Sequence, residues 1–537
     1  MISRIYISNY KSISELEIFP ENLCALIAPN STGKTNVFKA LNILLGETYP
    51  TEKAFSKEDF HKRNTKHPII IRVDLSKPLG AVYATKKSSS GKGNCEAIAL
   101  QLEYRITEQG GSSYFTCFGA DGEEYYGNGQ IRDQLSWVYI PSERSFEKQL
   151  SMSKWTLFGK ILSKVDVNFR ANKERVDAFE KSMNEPKSIL EKDFEEGISY
   201  AKFKSVFVSK VEQNILGHSN GCDLNLEIYD PLWYYKMIQI TTMESDQRFN
   251  VEEIGSGTQN LILLSLFQTF ASLMKSNAIL AIEEPELYLF PHAQRQLYRE
   301  FRKLSEHTQI FYTTHSPNFV DISNCNEAII LRKEDGETIK LNTGKLSDFI
   351  DEGAKHELHL QTKFNSSVNE IFFADKIILV EGDTEKSTFP HILEKIGGSE
   401  VGAINYLVLN CSSKDFIPFY IRVCKFLGLE NFIAAYDTDL HDGKNEHQIN
   451  TAKKSTEGIY EALEGDISKC VELHPDFETL CGYSTSDKNK IREAVSWVGK
   501  TDADKMPKDF LKILEFLLPP KVEVAEQLKQ NDRRSIP

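Results

Sequence analysis

The chain opens with "RIYISNY" and "SELEIF", where apolar and polar residues alternate with a period of two, the pattern of strands with one face buried. The wholly apolar "LCALIA" follows, then a turn-rich "PNSTGKT", then "NVFKALNILLG", which reads as a helix stopped at Gly46. Further strands are expected at "PIIIRVDL", "EAIALQLEYRI" and "WVYI". Between them, "KKSSSGKGN" and "GADGEEYYGNG" read as exposed loops because Ser, Gly and Lys dominate them. From about Ser145 to Ser219 the pattern changes to Lys-, Glu-, Phe- and Leu-rich segments with few turn signals, which predicts a helical insertion. Alternation then returns: a helix at "LILLSLFQTFASLM", a strand at "AILAIEE", a helix at "PHAQRQLYREFRKL" and a strand at "QIFYTT". That order is the one produced by a sheet with crossover helices. A polar stretch from Lys333 to Ser367, containing "KEDGET", reads as a connector. Beyond it, "ADKIILVEGD", "YLVLNC" and "NFIAAYDTD" are spaced as the strands of a second, smaller α/β domain.

Composition narrows the classes. At 537 residues the chain is too long for one ordinary core, so two to four domains are expected. No apolar run approaches the roughly 20 residues of a membrane span, and "MISRIYISNYKS" lacks an apolar signal core, so a cytoplasmic location with no membrane partner is expected. The nine cysteines are scattered and form no C-x-x-C pair, which argues against a disulfide framework and against a zinc module. With a formal net charge of -13, any contact with nucleic acid must come from a local basic face.

Two constellations carry chemistry. The first is Ala28 to Thr35, "APNSTGKT", which matches a phosphate-binding loop except that Ala28 occupies the first glycine position. Lying between an apolar strand and a helix, the loop would present backbone N–H groups around Asn30 and Gly33 to phosphate. Lys34 would reach the outer phosphates, and the Thr35 hydroxyl would hold Mg²⁺. In "AILAIEEPE", Glu283 and Glu284 end a strand, where one carboxylate can hold the metal's hydration shell and the other can orient water. His315 closes the strand in "YTTHSP", a position suited to the γ-phosphate. Ser256 and Gly257 in "GSGTQNLILL" open a helix whose N-terminus can cap a phosphate, expected here to be one bound by a partner subunit.

The second constellation is acidic. Glu381 follows the apolar "KIILV", at the strand end where α/β sheets place ligands, and Glu385 falls one turn into the next helix. Asp437 and Asp439 in "YDTD" would share a face if both lie on a strand. Four carboxylates converging at one sheet edge repel strongly unless cations neutralise them. With oxygen donors and no His or Cys nearby, Mg²⁺ or Mn²⁺ is the expected cation.

"PNSTGKT", "GSGTQ", "AIEEPELYLFP" and "TTHSP", in this order, resemble the ABC-type ATPase head of the SMC and RecF group. The resemblance implies a homodimer in which one head's helix completes the other's ATP site. Ala28 and Glu283, the latter where that group usually has Asp, depart from the pattern and point to ATP hydrolysis that is slow or purely regulatory. "LVEGDTE" and "YDTD" resemble a TOPRIM domain. The combination, with "YIPSER" and "FFADKIILVEGDTE", is similar to the OLD (overcoming lysogenization defect) nuclease family, which includes the Gabija nuclease subunit and a retron effector. The implied fold is α/β: an ATPase head in residues 1–144 and 246–345, with a mainly helical insertion at 145–245 as a dimerisation candidate. A connector at 346–369 leads to a TOPRIM nuclease domain at 370–515 and a C-terminal tail at 516–537.

The implied activity is two-metal cleavage of DNA, controlled by ATP, in bacterial anti-phage defence. Asp476 and Glu478 in "HPDFE" would complete the metal set, and Lys505, with Lys500 as the other candidate, would supply a cation. Candidate partners are DNA, a second copy of the chain or a higher oligomer, a UvrD-like helicase, or a retron reverse transcriptase with its RNA–DNA hybrid. The competing reading is a non-catalytic ATP-dependent DNA clamp or sensor of the SMC and RecF type.

Overall fold

The computed structural model describes residues 1–46, 49–89, 91–108, 110–143, 156–193, 199–214, 235, 238, 240–244, 247–274, 278–342, 346–349, 366–441, 445–483 and 489–518. The expected tail beyond residue 518, the connector over 350–365, Arg144 of "YIPSER", and the insertion segments 144–155, 194–198 and 215–234 lie outside these residues. The chain divides into two bodies: Met1–Ser142 with Lys275–Pro537, and Glu143–Met274.

The first body begins with strands β1 (Ile2–Tyr10), β2 (Ile13–Ile18) and β3 (Leu23–Ile27), helix α1 (Lys34–Leu45), and β4 (Ile69–Leu75). These are followed by β5 (Val82–Thr85), β6 (Lys92–Cys95), β7 (Ala97–Thr107), β8 (Gly110–Gly119), β9 (Glu124–Tyr126) and β10 (Ser136–Ile140). Six of them form an antiparallel sheet in the order β2-β1-β4-β7-β8-β9. Its period-two residues, such as Ile5, Ile7, Ile71 and Leu102, face a core that α1 fills with Val37, Phe38, Leu41 and Leu44. Strand β8 was not expected; it forms because "SSYFTCF" pairs along almost the whole of β7, from Ala97↔Gly119 to Thr107↔Gly110. Parts of the two expected loops are likewise paired, as the β5–β6 hairpin and as β9, where Tyr125 is buried.

In the second body, α2 (Leu157–Arg170) and α3 (Lys173–Glu191) split what reads in sequence as one helical run. The Asn172 side chain caps the second of them by accepting from Arg175 N. Helix α4 (Tyr200–Asn214), the hairpin β11 (Thr241–Glu244) and β12 (Gln247–Asn250), and helix α5 (Ser256–Met274) complete this body.

The first body resumes with β13 (Ala278–Glu283), α6 (Pro291–Leu304), β14 (Gln309–Thr314), β15 (Ala328–Glu334) and β16 (Glu337–Lys340). Its second sheet runs β10-β13-β14-β3-β15-β16, parallel except for β16 at the edge. Strands β3, β13 and β14 are buried along their whole length, as a sheet covered on both faces requires. The expected connector at "KEDGET" is instead the turn of the β15–β16 hairpin, with Asp335 and Gly336 at φ 48° and 84°.

A third, four-stranded parallel sheet follows in the order β18-β17-β19-β20. Its strands are β17 (Lys376–Val380), β18 (Tyr406–Asn410), β19 (Phe432–Asp437) and β20 (Cys470–Leu473). Its helices are α7 (Asp383–Gly397), α8 (Ile417–Phe426), α9 (Glu446–Ala462), α10 (Phe477–Cys481), α11 (Lys490–Lys500) and α12 (Asp509–Leu517). Ile378, Val380, Phe389, Ile433, Phe477 and Phe510 share its core. No described helix is long and apolar enough to cross a membrane.

Candidate functional site

The loop from Ala28 to Gly33 joins buried β3 to α1. Gly33 sits at φ 115°, and a Cβ there would lie 2.4 Å from Thr338 Oγ1 and 2.5 Å from Ser12 Oγ, so only glycine fits. The β15–β16 hairpin braces the loop from outside: the Thr338 hydroxyl donates to the Thr32 carbonyl at 2.5 Å, and Lys333 donates to the Ser31 carbonyl at 3.4 Å. Asn30 is exposed, and Thr35 is the second residue of α1. Lys34 is buried; its ammonium donates to the Ala28 carbonyl at 2.7 Å and the Pro29 carbonyl at 3.3 Å, and lies 2.9 Å from His315 Nε2. Burial pushes that ammonium down to about 8, against the pull of Glu284, Glu286 and Glu283. Burial and the neighbouring Lys34 lower His315 as well, which suits a neutral ring accepting from the ammonium.

Glu283 is buried at the end of β13, with Oε2 accepting from Ser142 N at 3.0 Å. Glu284 follows at φ 45°, its N–H donating to the Thr313 carbonyl at 3.0 Å. Glu286, not singled out from sequence, accepts from His315 N at 2.6 Å and from the Thr314 hydroxyl at 2.9 Å, and so holds the histidine loop. The third acid of "EEPE" was the signal for it. The structure thus gathers Lys34, Glu283, Glu284 and His315 around the loop. Ser256 and Gly257 open α5 in the other body, with Ser256 exposed.

The second site lies at the C-terminal edge of the four-stranded sheet. A cavity of about 750 Å³ is lined by Glu381, Glu385, Asp437, Asp439 and Glu478, with Lys414 and Lys490. Glu381 follows β17 and accepts from Asp437 N at 2.7 Å, which locks adjacent strand ends together. Glu385, in the first turn of α7, accepts from Gly382 N at 3.1 Å, an N-terminal cap. Asp437 ends β19 and accepts from Phe477 N at 3.0 Å. Asp439 lies beyond the strand at φ 58°, so it reaches the cavity by a left-handed turn and not by sharing a strand face with Asp437. Burial, then Glu385, Glu381, Glu478 and Asp439, push Asp437 up to about 9. Burial pushes Glu381 up to about 7, with the Asp437 amide and Lys414 opposing. Burial and Glu478 also raise Glu385.

The remaining expected members lie outside this lining. The Asp476 carboxylate caps α10 through Thr479 N at 2.7 Å and meets His441 Nε2 at 2.7 Å. Lys505 is 68% exposed and pairs with Asp502 at 2.7 Å, and Lys500 is exposed; Lys490, paired with Glu478 at 3.2 Å, lines the cavity instead. Among the described residues no three donors converge tightly enough to hold a metal as they stand. The donor chemistry nonetheless fits a hard divalent cation: half-buried, mutually repelling carboxylates held partly protonated are groups that a cation would ionise and draw together.

A family model described as AAA ATPase domain matches residues 1–110 and 92–320, and one described as Overcoming lysogenization defect protein-like, TOPRIM domain, matches residues 372–439. The chain is 23% identical over 506 residues to an OLD nuclease of Thermus scotoductus, covering 91% of this chain and 93% of the relative. It is 23% identical over 460 residues to the Old nuclease of Escherichia phage P2, covering 81% and 76%. It is 22% identical over 503 residues to the endonuclease GajA of Bacillus cereus, covering 88% and 78%.

Proposed function

The chain belongs to the AAA ATPase domain family and carries an OLD-like TOPRIM domain, and on that premise we propose that it is an ATP-binding, metal-dependent DNA endonuclease. The observation that carries this reading is the gathering of Glu381, Glu385, Asp437, Asp439 and Glu478 around one cavity at a sheet edge. When bound there, Mg²⁺ or Mn²⁺ would supply an activated water and a counter-charge for the leaving oxygen of a phosphodiester. Glu381 and Asp437 would be the inner ligands, since the two half-buried acids line the cavity from neighbouring strand ends. Glu385, Asp439 and Glu478 would complete the set. The metal should tighten the ring by converting protonated carboxyls to carboxylates.

At the head, Lys34 and Thr35 would hold the phosphates and Mg²⁺ of ATP, with Glu283, Glu284 and His315 at the γ-phosphate end. Control of cleavage by nucleotide is supported by the β15–β16 hairpin, which touches both sites' frameworks. On one side Thr338 and Lys333 hold the phosphate loop. On the other, Arg332 lies 3.8 Å from Asp375 at the foot of β17, and Leu341, just after the hairpin, packs so closely on Gly428 that a Cβ there would meet its carbonyl at 2.1 Å. Dimerisation through the heads, a place in anti-phage defence, and a helicase or reverse-transcriptase partner are the further expectations of the same reading. The test is cleavage of plasmid and linear DNA in Mg²⁺ or Mn²⁺, with and without ATP. The clamp alternative predicts DNA binding in EDTA and no cutting under any of these conditions.

A further inference from the structure

Lys414 is a cavity residue that the metal-site reading leaves without a role. It sits in the loop after β18, is 6% exposed, and lines the cavity beside Glu381, Asp437 and Asp439. Its ammonium donates to the main-chain carbonyl of Asp437, its one hydrogen-bond acceptor among the described residues, and lies 5.1 Å from the centre of the Tyr436 ring. An ammonium carries three donors; beyond the attraction of the nearby Glu381 carboxylate, one bond to a neutral carbonyl and one aromatic face leave donors to spare. Lys505 differs in both respects, being largely exposed and paired with an aspartate.

The wall of the cavity around Lys414 is polar and fixed, and it carries Asp415 as well. Ser412 holds φ 70° and donates its N–H to Asn410 Oδ1 at 2.6 Å, which fixes the loop. Helix α9 adds Gln448, Thr451 and Ser455 to the lining, and the Ser455 hydroxyl donates to Asp415 Oδ1 at 2.5 Å, tying that helix to the Lys414 loop. A phosphodiester entering a ring of carboxylates gains from a fixed cation that helps to place it beside the metals. A buried cation with spare donors, anchored to the strand end that carries Asp437, is suited to place it.

We propose that Lys414 is a substrate-binding residue that grips a non-bridging oxygen of a DNA backbone phosphate in the cavity between the carboxylates and α9. The proposal rests on the nuclease reading for its substrate, and its test is chosen to be separable from that reading. The full-length protein and its Lys414→Met and Lys414→Arg variants are titrated with a labelled DNA duplex in Ca²⁺ over a range of salt. Mn²⁺ affinity and the kinetics of cutting in Mn²⁺ are measured in parallel. Lys414→Met should bind DNA about tenfold or more weakly, with a salt-dependence slope smaller by about one and a raised KM. Its Mn²⁺ affinity should be undiminished, and Lys414→Arg should recover most of the loss. Unchanged DNA affinity and slope, or a loss of Mn²⁺ binding in step with DNA binding, would overturn the assignment and leave Lys414 a brace for the carboxylates. Wild type that binds DNA but never cuts would refute the nuclease and leave Lys414 to be judged by the slope. Wild type that binds no DNA would refute both.

Discussion

Asp437→Asn isolates the electrostatic cost of the carboxylate cavity. Asp437 is pushed from 3.8 to about 9, so between those values the folded chain holds a proton that the unfolded chain has released. The sign follows: stability is full below the unfolded value and is lost as pH rises towards the folded one. Each pH unit in that window costs about 1.4 kcal/mol, so the roughly three units up to pH 7 set a ceiling of about 4 kcal/mol. Water entry and the higher effective dielectric of real interiors reduce this to about 2 kcal/mol. Asparagine does not ionise, and its carbonyl oxygen can still accept from Phe477 N, as Asp437 does at 3.0 Å. Thermal melts in EDTA from pH 5 to pH 9 should therefore show the variant gaining on wild type as pH rises. Added Mn²⁺ should raise the melting temperature of wild type much more than that of the variant. A difference between the two proteins that stays flat across this pH range would refute the reasoning.

Other expectations follow from the head. Lys34 sits near 8 without nucleotide, so ATP binding at pH 8.5 should draw in a fraction of a proton; calorimetry in buffers of different ionisation enthalpy reads this, and no buffer dependence would contradict it. Gly33→Ala must carry a side chain at φ 115° against Thr338 and Ser12, costing about 1–3 kcal/mol locally. It should weaken ATP binding at least tenfold, and fluorescent-nucleotide titration showing wild-type affinity would count against the loop geometry. Thr338→Val removes the hairpin's bond to Thr32 and should diminish the effect of ATP on DNA cutting while sparing the cutting seen without nucleotide. Equal ATP response in both proteins would remove the hairpin from the link.

The parts legible in the sequence were those with strong local signals. β1 and β4 announce themselves by alternation, while β3, β13 and β17 do so by unbroken apolar runs beside a turn or acid. β8 was hidden because its pairing with β7 is a tertiary fact that "GGSSYFTCFG" does not carry in its own periodicity. β20, four residues long, is too short for any period to show. "KEDGET" did carry its hairpin signal in Asp335-Gly336, but the polar residues around the turn masked it. At the acidic site, Glu381 and Glu385 follow from a strand end and a helix start. Asp439 was placed by a strand that in fact ends at Asp437, and it takes its position from a left-handed turn that no pattern foretells. The surroundings of Asp476 and Lys505 depend on side-chain partners, His441 and Asp502, that spacing alone cannot assign.

The central claim is that the carboxylate cavity cuts DNA with a divalent metal. Its most direct measurement is incubation of wild type and Glu381→Ala with supercoiled plasmid in EDTA, Mg²⁺ or Mn²⁺, each with and without ATP. The account predicts nicked or linear product from wild type in metal only, and none from the variant. Cutting by Glu381→Ala at the wild-type rate, or cutting by wild type in EDTA, would contradict it.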